Sequence, residues 1–218
     1  MSVRTQLLAL REALPEGVTL VAVSKTHPPE AIREAYAAGQ RAFGESRPQE
    51  LAAKQAALPG DIEWHMIGHL QTNKVKKVVG KVSLIQSVDS IKLLECIDSE
   101  SQKLGMVSDV LLQVNTSSEQ SKFGASCQEL YKLAECAGAL GGIKVRGIMT
   151  IAPLCDSTVS NRLHFDNTQQ MYIDIKSKKY DNISMEYLSM GMSGDFEDAI
   201  LSGSNMVRIG SGIFGRRF

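Results

Sequence analysis

The chain alternates between short apolar runs and longer amphipathic stretches, and it does so eight times. That rhythm narrows the fold more than any single motif, because strands separated by helices pair in parallel. The runs cover 19–24, 41–45, 62–67, 82–87, 110–115, 144–150, 184–189 and 205–210. The first, Thr19-Leu20-Val21-Ala22-Val23-Ser24, is β-branched and uninterrupted, as a strand covered on both faces requires. Helices are expected over about 29–38 with Gly39 as a cap, from the Asp89-Ser90 start to Gly105, and over about 159–176. A further helix carries Leu130, Leu133, Ala134 and Ala137 on one face, and Asp195 is expected to cap a short one through Leu201. Eight such units in 218 residues imply an α/β fold closed as a single (β/α)8 TIM-like barrel with short loops, one domain over 1–218. The rival is a doubly wound open sheet. Ahead of the first strand, Val3, Leu7, Leu10 and Leu14 form one apolar stripe, so an extra N-terminal helix is expected, stopped by Pro15-Glu16-Gly17.

Composition removes several function classes. The 24 basic and 24 acidic side chains cancel, so no overall field draws the chain to nucleic acid or an anionic membrane. No apolar stretch approaches the length of a membrane span, and the first residues lack the pattern of a signal peptide. Cys96, Cys127, Cys136 and Cys155 form no Cys-x-x-Cys pair, so free thiols and a cytoplasmic setting are expected. His65 and His69 are four apart but straddle a strand end rather than a helix face, so no metal site is expected. Lys74, Lys76, Lys77 and Lys81 fit a solvated helix face.

In a barrel of this kind the working residues follow the C-terminal ends of the strands. Lys25 stands one residue beyond the first run and, by strand alternation, on the same face as Val21 and Val23. An amine turned into such a pocket suits carbonyl chemistry. The loop after the seventh run, Met190-Gly191-Met192-Ser193-Gly194-Asp195, and the one after the eighth, Gly210-Ser211-Gly212, are glycine-rich and hydroxyl-bearing, and they occupy the usual phosphate position of the fold. Arg208 interrupts an otherwise apolar strand and needs an acceptor there, either a pyridine nitrogen or a carboxylate such as Glu45 or Glu186. A lysine, two phosphate loops and this arginine together describe a pocket for pyridoxal 5′-phosphate.

At these residues the sequence resembles the pyridoxal phosphate-binding homeostasis proteins, which share their barrel with the N-terminal domain of alanine racemase. The resemblance runs along almost the whole chain. It is carried by Ala22-Val23-Ser24-Lys25-Thr26, Phe43-Gly44-Glu45, Trp64 to Lys74, Gln113-Val114-Asn115, Lys122-Phe123-Gly124, Arg146-Gly147-Ile148-Met149, Leu188 to Asp195 and Met206 to Gly215. It implies that Lys25 forms the Schiff base, that Met192, Ser193, Gly210 and Ser211 hold the phosphate, and that Arg208 faces the pyridine nitrogen. Ser46 departs from the asparagine common in the family beside the ring. Alanine racemases add a C-terminal β-domain that supplies a catalytic tyrosine; here the eighth unit runs to Phe218, so no such domain is expected. The resemblance therefore implies a non-catalytic carrier or regulator in vitamin B6 and amino-acid homeostasis, with apo-enzymes that use this cofactor as candidate partners; a monomer is expected because no interface-forming domain is expected. The alternative is a low-activity amino-acid racemase.

Overall fold

The structure is a computed structural model that describes residues 2–117, 123–153 and 158–215. Lys122, Cys155 and Phe218, which figure in the sequence reading, lie outside the described residues. The strands are β1 (Thr19–Val23), β2 (Ala42–Glu45), β3 (Glu63–Met66), β4 (Leu84–Val88), β5 (Ser108–Val114), β6 (Ile143–Thr150), β7 (Ile183–Ser189) and β8 (Met206–Ile209). All neighbours pair in parallel, and β8 returns to β1, so the sheet is a closed barrel in chain order. The open-sheet rival is excluded. Each strand lies within two residues of its predicted bounds, because the apolar runs are bounded by turn residues.

The helices are α1 (Val3–Ala13), α2 (Pro29–Ala37), α3 (Pro48–Ala57), α4 (Ile91–Lys103), α5 (Cys127–Ala137), α6 (Thr158–Ser177), α7 (Phe196–Leu201) and α8 (Ser211–Phe214). Between β3 and β4 the crossover is only a 3-10 helix, Thr72–Lys77; it carries Lys74, Lys76 and Lys77 but not Lys81. The N-terminal helix has a clear reason to exist. Among the described residues after β8 the one helix is the four-residue α8, too short to cover the β8–β1 seam. The fully buried Leu7 of α1 supplies that cover, packed in one cluster with Leu20, Ile32, Val207 and Ile213.

The apolar interior forms two layers. Val21, Ala42, Leu84, Leu111, Met149 and Met206 fill the lumen, while larger clusters lie between the strands and the helices. Ladder register shifts occur between Val110 and Leu111 and between Val145 and Gly147. Gly147 takes φ +151°, and a Cβ there would lie 1.8 Å from the Tyr187 carbonyl oxygen, so this bend admits only glycine.

Two expectations need correction. The apolar pattern of the sequence marks no helix between β2 and β3, yet α3 is ten residues long. Asp195 occupies the N-cap position of α7 but makes no capping bond. Its Oδ1 accepts instead from the Met192 N–H at 2.6 Å, which ties the loop after β7 back on itself.

Candidate functional site

The register at the seam builds the site. Val21 of β1 stands opposite Arg208 of β8. Four residues along from Val21, Lys25 follows the strand's end. Lys25, Met192, Ser193, Arg208, Gly210 and Ser211, the six residues singled out from the sequence, all line one cavity of about 460 Å³ at the C-terminal mouth of the barrel. Its remaining wall includes His27, Ser46, Ile67 and Ile151. No carboxylate lines it among the described residues. The donor set is an amine, a guanidinium, hydroxyls and backbone amides.

The loops after β7 and β8 meet over this cavity. The Gly212 N–H donates to the Ser193 hydroxyl at 3.2 Å. Gly210 passes close to β1: an added Cβ would lie 3.3 Å from the Val23 carbonyl oxygen. Side-chain bulk at this position would press on Val23, which lines the same cavity.

Arg208 is buried, and neither carboxylate considered from the sequence is its partner. Glu186 pairs with Arg146, and Glu45 with Lys54. The guanidinium donates from Nη1 to the Ser189 hydroxyl at 2.6 Å and from Nη2 to the Thr150 carbonyl at 2.7 Å. Both acceptors are neutral. Burial pulls the Arg208 pKa down to about 10, opposed by the Asp195 charge, so the cation persists at neutral pH. Asp195 itself is pushed up by burial, against the Met192 N–H bond and Arg208.

The sequence reading missed His27, Ile67 and Ile151 as cavity residues and set Ser46 aside. Each follows a strand closely, which is the signal that would have found them. His27 stacks on Phe214 of α8 with ring centroids 4.9 Å apart. The two histidines weighed for a metal serve different places. His65 is buried in the lumen and bonds Gln86 at 2.8 Å, whereas His69 bonds Asp89 at 3.1 Å and stacks on Phe123. A second cavity of about 300 Å³ shares Lys25, Ser46, Ile67 and Ile151 with the first and extends toward His69, Gln113 and Phe123.

Comparison with known proteins bears on the family and the fold. Residues 2–217 match the family model described as alanine racemase, N-terminal domain. A pyridoxal phosphate homeostasis protein of Aquifex aeolicus is 43% identical over 199 residues, covering 91% of this chain and 86% of that protein. One from Synechocystis is 38% identical over 218 residues, covering 99% and 98%. The structure of PipY from Synechococcus elongatus with PLP bound superposes with a TM-score of 0.91 at 38% identity, covering 98% of this chain and all of that one. An alanine racemase of Clostridium difficile in complex with cycloserine shares the fold at 16% identity and a TM-score of 0.82; this chain spans 60% of it. The chain belongs to the pyridoxal phosphate homeostasis protein family, within the wider family of alanine racemase N-terminal domains.

Proposed function

We infer that this protein binds pyridoxal 5′-phosphate as a Schiff base on Lys25 and acts as a non-catalytic carrier or regulator in vitamin B6 and amino-acid homeostasis. The observation that carries the reading is the cavity wall: an amine, a guanidinium and two hydroxyl-bearing glycine loops, with no carboxylate among the described lining residues. Such a set fits an anionic ester at one end and an aldehyde at the other. The relatives named for pyridoxal phosphate homeostasis, and PipY with PLP bound, support the same ligand.

In this reading Lys25 holds the cofactor covalently, and Met192, Ser193, Gly210 and Ser211 hold its phosphate. Arg208 faces the pyridine nitrogen and, already a cation, leaves it unprotonated. The cofactor when bound supplies an electron sink, which this arrangement weakens. That favours holding and handing over, in the cytoplasm and as a monomer, to apo-enzymes that need it.

A second reading, a low-activity amino-acid racemase, draws on two observations. His27 gives the wall a second titratable group, and the smaller cavity beside Lys25 gives an amino acid room. Proton exchange at Cα requires an acid and a base on opposite faces of the substrate. Incubation of the loaded protein with L- or D-alanine, followed by chiral chromatography, decides between the readings. Lys25-dependent turnover would replace the carrier reading. Attachment itself is tested by borohydride trapping and peptide mass mapping: the adduct is expected on Lys25, and an adduct on another lysine overturns the assignment.

A further inference from the structure

Lys25 lies in a turn whose geometry is unusual. Thr26, the next residue, has φ +68°, in the left-handed region that β-branched residues rarely adopt. On the outer side of the barrel a cluster that is buried at Lys54 and Glu45 and half-buried at Glu50 bonds to this turn.

Lys54 of α3 is only 4% exposed. Its Nζ donates to the Ser24 carbonyl at 2.8 Å, to Glu45 Oε1 at 2.6 Å and to Glu50 Oε1 at 2.7 Å, using all three ammonium protons. Glu45 Oε1 also accepts the Ser24 hydroxyl at 2.6 Å. Glu50 Oε1 accepts the Thr26 N–H at 2.5 Å. The cluster therefore grips the carbonyl of the residue before Lys25 and the amide of the residue after it. Ser24 has its hydroxyl on the outer side with the cluster, while Lys25 turns to the cavity. A buried ion cluster is a weak source of stability, because apolar replacements often serve as well. Fixing one backbone conformation is a task that apolar packing performs less sharply.

We propose that Lys54 and Glu50 are positioning residues for Lys25: they lock the 24–26 turn so that the Lys25 amine points into the cavity. The proposal rests on the reading of Lys25 as the attachment site. Neither residue touches the cavity, so the effect is on the amine's direction and not on contacts with phosphate or ring.

The test uses the full-length protein and its Lys54→Met, Glu50→Ala and Glu50→Gln variants. Two quantities are read: the affinity for pyridoxine 5′-phosphate, which has the ring and phosphate but no aldehyde, and the rate of borohydride-trappable adduct formation at Lys25 with pyridoxal 5′-phosphate. Lys54→Met and Glu50→Ala are expected to slow trapping about tenfold or more, as small misplacements of a reacting group do. Pyridoxine 5′-phosphate should bind all variants within about twofold of the parent, since no contact with it is removed. Glu50→Gln keeps an acceptor for the Thr26 N–H and should restore most of the rate. Parental trapping rates in both Lys54→Met and Glu50→Ala overturn the proposal, as does an equal loss of pyridoxine 5′-phosphate binding, which marks a collapsed site. Should Lys54→Met fail to fold, the pair at Glu50, a half-buried position, decides alone. Trapping on another lysine in the parent protein refutes the attachment reading instead.

Discussion

The Arg208 guanidinium and the Ser189 hydroxyl, 2.6 Å apart, open a hydrogen-bonded chain that crosses the barrel lumen. The Ser189 hydroxyl donates to Gln86 Oε1 at 2.7 Å, and Gln86 Nε2 donates to His65 Nδ1 at 2.8 Å. Four strands, β8, β7, β4 and β3, contribute one residue each. Because Gln86 presents its amide hydrogen, His65 Nδ1 must be the acceptor and its proton sits on Nε2. The chain explains how a guanidinium is held at the cavity with no paired carboxylate among the described residues: dipoles aligned head to tail satisfy it on the lumen side.

Breaking that chain should cost more than its size suggests. Ser189→Ala leaves both the Gln86 oxygen and an Arg208 N–H short of a partner in a buried setting, a loss of about 1–3 kcal/mol. Ser87 is the internal control, since its buried hydroxyl has no partner among the described residues. Ser87→Ala should change stability by less than about 0.5 kcal/mol. Urea unfolding of the two variants checks the contrast, and equal losses would refute it.

His65 makes stability depend on pH. Burial pushes its pKa down to about 4, so the folded protein keeps it neutral while the unfolded chain titrates near 6.5. The unfolded state binds the proton first as pH falls. The contribution is therefore complete above about pH 6.5 and is lost progressively between there and pH 4, by about 2 kcal/mol at pH 5. His65→Gln removes the titrating group, and its urea midpoint should vary less than the parent's between pH 7 and 5. An unchanged slope in the variant means that another group carries the dependence.

The bend at Gly147 should tolerate no side chain. Gly147→Ala sets a methyl against the Tyr187 carbonyl, so β6 and β7 must separate, a loss of several kcal/mol. Gly17, also at positive φ, has nothing within 4 Å of an added Cβ. Gly17→Ala then carries only the backbone penalty, about 1–2 kcal/mol. Thermal melting of both proteins measures the difference, to which the Tyr187 contact and the more extreme φ of Gly147 both contribute.

The phosphate end of the cavity can be tested by charge. Ser211→Asp introduces a carboxylate into a wall with none among its described residues. Repulsion should weaken pyridoxal 5′-phosphate by about a hundredfold, a like-charge cost of a few kcal/mol. Pyridoxal, which lacks the phosphate, should bind the variant and the parent within about threefold. A parallel loss for both ligands would move the phosphate away from Ser211.

Sequence alone pointed to the barrel, the order of its strands and six of the residues that gather at its mouth. The reason is local: period-two burial, turn residues at strand ends and the rule that βα loops share one face all act within one or two elements. Lys25 faces inward because Val21 and Val23 do. Tertiary structure alone decided what stands behind that lysine. The helix α3 escaped the sequence reading because its face toward the sheet carries no apolar stripe; Pro48, Leu51 and Lys54 are its buried residues. A lysine turned toward a core becomes intelligible only when Glu45, from β2, and the Ser24 carbonyl, just past the end of β1, are brought to it. The partners of Arg208 were hidden for the same reason. Ser189 and Thr150 stand 19 and 58 residues away along the chain, and only the pairing of β6, β7 and β8 side by side in the curved sheet puts them within hydrogen-bond reach.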